Sequence, residues 1–193
     1  MEAFLTSTSI VAVAEMGDKT QLLSFVLAAR FRKPWPIVLG ILLATLANHF
    51  LAGAVGAWIA SLVSPATLKW AVAIAFFAFG LWALKPDELE EDPAMPSAGV
   101  FLTTLVAFFL VEMGDKTQLA TVALAARYRA LVSVVLGTTL GMMIANVPAV
   151  WVGASLARRV DMRLMRWAAA ALFVLLGVLT LFAGDSSLDP AGR

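Results

Sequence analysis

The octapeptide Glu15-Met16-Gly17-Asp18-Lys19-Thr20-Gln21-Leu22 occurs twice, the second time as Glu112-Met113-Gly114-Asp115-Lys116-Thr117-Gln118-Leu119. Each copy places two carboxylates and an amine inside a long apolar segment, where ionisable groups are costly and mark function. Four carboxylates and two amines leave a formal charge of −2 if all are ionised. In a dry site that charge calls for a divalent cation or for protons. Carboxylate, hydroxyl and amide oxygens without thiolates suit hard cations such as Ca²⁺, Mg²⁺ and Mn²⁺. Metal entry would expel protons from the same carboxylates, which is a physical basis for exchanging one for the other.

The candidate metal ligands are therefore Glu15, Asp18, Glu112 and Asp115. On a continuous helix residues three and four apart share a face, which aligns Glu15 with Asp18 and sets Lys19 one turn from Glu15. Gly17 exposes backbone there or permits a local break. Lys19, Thr20, Gln21, Lys116, Thr117 and Gln118 are supporting or charge-balancing groups. In one arrangement Lys19 and Lys116 neutralise Asp18 and Asp115, leaving Glu15 and Glu112 as the main ligands. A purely structural reading makes each acid–lysine pair a brace between helices, but two matched copies with excess carboxylate weigh against it. Ser24 and Thr121 lie two turns beyond the glutamates and could complete the site. His49, the only histidine, falls opposite Asn146 in the repeat described below. Either could be a ligand, a proton-relay member or a helix–helix hydrogen bond. Asn48 is expected at a helix interface. Met16 and Met113 could present thioethers to a borderline metal such as Mn²⁺ and discriminate against Ca²⁺, but unless the helix is broken they point about 100° away from the glutamates, so packing is their expected role.

The elements that must position these residues are membrane helices. A span needs about 20 apolar residues, and six segments qualify: 3–29, 36–63, 68–84, 98–126, 131–156 and 164–183. A shift of 97 residues lays the second half on the first without a gap. Under it about 29 of the 70 positions from Glu15 to Leu84 are identical, including Arg30 with Arg127, Gly40 with Gly137, Trp70 with Trp167 and Gly80 with Gly177. That is an internal duplication. A unit of three spans places its second copy upside down, so the expected fold is all-α and polytopic: six transmembrane helices forming two inverted-topology three-helix repeats. Residues 1–86 form the first repeat, 87–97 an acidic linker, 98–184 the second repeat and 185–193 a polar tail expected to be disordered. Both octapeptides fall about midway along their spans and would meet near the bilayer centre. Gly53, Gly56, Gly137, Gly141 and Gly153 read as close-packing positions. Pro148 could kink its helix, and Trp35, Trp58, Trp70 and Trp167 read as interfacial anchors.

Composition narrows the classes further. Hydrophobic residues make up 61% and the mean hydropathy is +0.90, while charged residues are 14%, against roughly 25% in soluble domains. A net charge of +1 gives no case for nucleic-acid binding, and the lack of cysteine excludes disulfides and thiolate chemistry. No basic n-region precedes the first apolar run, so no cleavable signal peptide is expected. Arg30, Arg32, Lys33, Lys85, Arg158, Arg159, Arg163 and Arg166 fall on one side of the six-span layout, and Lys69, Arg127, Arg129 and Arg193 on the other. The bias puts both termini outside and the acidic linker in the cytoplasm. The linker acids read as a solvated loop.

The twin Glu-x-Gly-Asp-Lys/Arg-Thr/Ser motif, at 15–20 and 112–117, resembles the signature of a cation/proton exchanger family. That family includes Golgi and chloroplast manganese/calcium transporters and bacterial manganese exporters of the MneA type. The resemblance covers nearly the whole chain. It implies a secondary transporter of the bacterial inner membrane that exports Mn²⁺, or Ca²⁺, against protons. It also implies a cation site at Glu15, Asp18, Glu112 and Asp115, no cofactor, and no enzymatic activity. Two other classes compete: an intramembrane lipid-processing enzyme, which wants a nucleophile beside an Arg or His cluster, and an exporter of organic cations or amino acids, which wants a larger apolar-walled pocket.

Overall fold

The computed structural model describes residues 1–85, 99–152 and 162–182. Among these the protein is all-helical, with eight helices: α1 (Glu2–Glu15), α2 (Lys19–Phe31), α3 (Pro34–Leu62), α4 (Pro65–Ala83), α5 (Val100–Glu112), α6 (Lys116–Tyr128), α7 (Leu131–Val152) and α8 (Met162–Phe182). The expected linker, polar tail and Gly153 lie outside the described residues. Local signals account for the boundaries. Pro34 and Pro65 stand at the starts of α3 and α4, where a missing N–H costs nothing. Ser64 caps α4 by accepting the Thr67 N–H at 3.2 Å. Arg32 and Arg129, at equivalent positions, end α2 and α6 in the left-handed conformation.

Among the described residues three helices are long and apolar enough to cross a membrane: α3, α4 and residues 131–151 of α7. The expected spans 3–29 and 98–126 are each two helices, not one. The break falls inside the octapeptide, because Gly17 and Gly114 take φ of 85° and 76°, which glycine adopts without a Cβ clash. A piece of about 13 residues is roughly 20 Å long, shorter than the ~30 Å hydrocarbon layer. Only the two pieces in series have the length of a span.

The packing joins the two halves. Helix α1 lies on α7, α5 on α3, and α4 on α8. Phe76 and its equivalent Phe173 stack with ring centroids 6.5 Å apart. Close crossings use small residues. A Cβ on Gly137 would sit 2.6 Å from the Phe4 carbonyl oxygen, and one on Gly40 2.7 Å from Thr104 Cβ. The tightest crossing is α3 on α6, where a Cβ on Gly56 would lie 2.1 Å from the Val122 carbonyl oxygen. Backbone cannot yield as a side chain can, so Gly56→Ala should destabilise by about 1–3 kcal/mol. A thermal melt in detergent should show a lower midpoint, and an unchanged midpoint would contradict the crossing. Trp35, Trp58, Trp70 and Trp167 are all exposed, as anchors need to be.

Candidate metal centre

Each octapeptide builds a helix break with its own cap. Helix α1 stops at Glu15, Met16 turns extended, and Asp18 is the extended N-cap of α2. Glu112, Met113 and Asp115 repeat this between α5 and α6. The capping group is the glutamine three residues beyond the aspartate. Gln21 Oε1 accepts the Gly17 N–H at 2.9 Å, and Gln118 Oε1 accepts that of Gly114 at 2.7 Å. This is a variant of the capping box, with the reach extended by one residue. Asp115 also accepts the Thr117 N–H, at 3.3 Å, whereas Asp18 makes no capping hydrogen bond. The continuous-helix alignment of Glu15 with Asp18 is thereby replaced: each glutamate ends one helix and each aspartate starts the next.

The breaks bring carboxylates from both halves together. Glu15, Glu112 and Asp115 each offer an oxygen, all within 4.8 Å of one another, and none is more than 2% exposed. Thr20 Oγ1 donates to Glu15 Oε2. Thr117 Oγ1 lies 2.9 Å from Glu112 Oε1 and 3.2 Å from Asp115 Oδ2. Glu15 Oε1 and Glu112 Oε2 are buried and receive no hydrogen bond among the described residues. Asp18 is not in this group of three. The lysines pair across the halves: Lys19 Nζ is 2.9 Å from Asp115 Oδ1, and Lys116 Nζ is 2.6 Å from Asp18 Oδ1.

A surrounding polar layer holds the breaks against α3 and α7. Gln21 Nε2 donates to the Ala145 carbonyl at 2.8 Å. Its equivalent, Gln118, donates to Asn48 Oδ1 at 3.3 Å, and Asn48 in turn donates to the Phe109 carbonyl at 3.0 Å. Positions 48 and 145 are themselves equivalent, so one repeat supplies the acceptor from a side chain and the other from backbone. Ser24 Oγ donates to Asn146 Oδ1 at 2.8 Å. Thr121 turns back to the Thr117 carbonyl at 2.8 Å within α6 and does not extend the cluster. His49 Nε2 stands 3.5 Å from Glu112 Oε1. Met16 is half-buried and Met113 exposed, so Met113 does not have the core-packing role expected of it. The unbroken helix assumed for that role is absent. The glutamine caps are what sequence reasoning missed. The signal was present as Asp-x-x-Gln after a glycine.

Three carboxylates, two hydroxyl donors, a buried lysine and a partly exposed one form a centre suited to a hard cation. Comparison with known proteins agrees. The profile of the family described as "Divalent cation/proton antiporter GDT1" matches residues 3–91 and 100–187. A Vibrio cholerae protein named "Putative manganese exporter" is 46% identical over 183 residues, covering 94% of this chain and 92% of its own length. The chain belongs to the GDT1 family of divalent cation/proton antiporters. A rice member, "GDT1-like protein 4", is 30% identical over 83% of this chain and 66% of its own. A Synechocystis member, "GDT1-like protein sll0615", is 28% identical over 93% and 97%. No solved structure matches the chain. As a member of GDT1 the protein is a transporter and not an enzyme, which sets aside the lipid-processing alternative. Divalent cation and protons are the exchanged species, not an organic substrate.

Proposed function

We propose that this antiporter exports Mn²⁺ from the bacterial cytoplasm across the inner membrane in exchange for protons, with Ca²⁺ as a second cation. In this reading Glu15, Glu112 and Asp115 hold the ion, Thr20 and Thr117 orient the glutamates, and Asp18 acts through Lys116. The observation that carries it is the pair of buried glutamate oxygens, Glu15 Oε1 and Glu112 Oε2, left without a hydrogen bond among the described residues. A buried acceptor without a partner is costly, and a cation or a proton supplies what is missing. The crossed Lys–Asp pairs support the same reading: they balance both aspartates and leave the glutamates to meet a divalent charge. Manganese is favoured by the name of the Vibrio relative.

The proposed architecture is six spans in two inverted repeats, residues 1–86 and 98–184, joined by the cytoplasmic acidic linker 87–97, with both termini outside. Its support is the 97-residue shift, which carries α2 onto α6 residue for residue and α3, α4 onto the starts of α7, α8. Purified protein in proteoliposomes with a pH-sensitive dye tests the transport reading. Imposed Mn²⁺ or Ca²⁺ gradients are expected to drive metal flux with proton counter-flux. Metal flux without protons would leave a uniporter or channel, and no metal flux would refute the proposal.

A further inference from the structure

The two halves of the centre are not chemically equal, and the difference lies on α3 and α7. Position 146 carries asparagine, whose polar atoms are all engaged. Its Oδ1 accepts Ser24 Oγ, and its Nδ2 donates to the Met142 carbonyl at 3.0 Å. The equivalent position in the first half carries His49, fully buried, with neither ring nitrogen in a hydrogen bond among the described residues. Buried imidazoles are ordinarily held by at least one such bond. The polar contact of His49 runs between helices: Nε2 stands 3.5 Å from Glu112 Oε1, the glutamate whose other oxygen has no hydrogen bond among the described residues. One turn earlier on α3, Thr45 Oγ1 is likewise buried without a partner. Asn146, by contrast, has no such open valence among the described residues.

We propose that His49 is a nitrogen ligand of the transported ion and the residue that favours first-row transition cations over Ca²⁺ and Mg²⁺. This rests on the cation site proposed above and adds the basis of its selectivity. Carboxylates and hydroxyls alone hold Ca²⁺, Mg²⁺ and Mn²⁺ by the same hard-oxygen chemistry. One neutral imidazole tilts that set toward the transition metals, because nitrogen is a softer donor that Ca²⁺ and Mg²⁺ seldom take. The internal repeat names the control substitution. His49→Asn copies the residue the protein already uses at position 146, in a helix of the same kind.

His49 is the only histidine in the chain, which allows a test without any substitution. Tag-free protein labelled with ¹⁵N-histidine is loaded with Mn²⁺ in detergent, and electron–nuclear double resonance reads the nuclei bonded to the ion. A directly coordinated ¹⁵N is expected. His49→Asn should remove that signal and shift competition between Mn²⁺ and Ca²⁺, read by transport in proteoliposomes, toward Ca²⁺ by about tenfold. His49→Gln serves if the asparagine variant fails to fold. Mn²⁺ bound in a way that needs Glu15 and Glu112 but shows no histidine nitrogen would overturn the ligand role and leave the carboxylate site standing. Mn²⁺ binding untouched by Glu15→Gln and Glu112→Gln would overturn the site itself, and the role of His49 with it.

Discussion

Glu15→Gln and Glu112→Gln are each expected to abolish coupled transport while leaving folded protein. The carboxamide keeps the shape of the side chain and still offers an oxygen to the hydroxyl of Thr20 or Thr117, which now reaches each glutamate. The local packing therefore has little reason to change. What goes is the charge. With Asp18 and Asp115 each paired to a lysine, the two glutamates carry the negative charge that a divalent ion meets, and one substitution halves it. A carboxamide also cannot release a proton to the opposite side. Outer-shell changes at metal sites cost about 10–100-fold, so loss of a ligating charge should cost about a hundredfold or more in transport rate. Equal melting profiles beside lost flux, measured in proteoliposomes, make the case. Wild-type flux from both variants would remove the glutamates from the site.

Much of this centre could be read in the sequence because the chain states it twice. The repeat located the motif and the equivalence of His49 with Asn146. What stayed hidden follows from backbone geometry. Asp18 and Lys19 are neighbours in sequence, which suggests a pair within one half. The positive φ at Gly17 turns the chain between helices, and each lysine reaches the aspartate of the other half instead. Helical periodicity cannot report this, since it assumes the continuity that the break removes. The capping glutamines had a sequence signal, Asp-Lys-Thr-Gln, that reads as a helix start once α1 and α2 are allowed to be separate. The partner of Gln21 had none. It is the backbone carbonyl of Ala145, and a carbonyl acceptor leaves no mark on residue identity.

The crossed ion pairs give the second large expected effect, and the two should differ. Lys116 and Asp18 are 3% and 0% exposed at their side chains, while Lys19 is 22% exposed. Removing one member of a buried pair strands the other charge, at about 3–5 kcal/mol. Asp18 is the more vulnerable aspartate, because it lacks the backbone cap that Asp115 receives from Thr117 N–H. Lys116→Met should therefore destabilise the protein severely, and Lys19→Met by less, since Lys19 is only partly buried and its partner Asp115 keeps the Thr117 N–H. The diagnostic variant is Lys116→Met combined with Asp18→Asn. It removes both charges and should recover most of the stability, because no unpaired buried ion is left. Detergent melts of the two single variants and the double variant close the cycle. Strict additivity would mean that Lys116 and Asp18 do not act on one another. If stability returns in the double variant but transport does not, the crossed pair serves more than the fold. It then keeps a positive charge beside the carboxylates, which helps to release the cation when protons arrive.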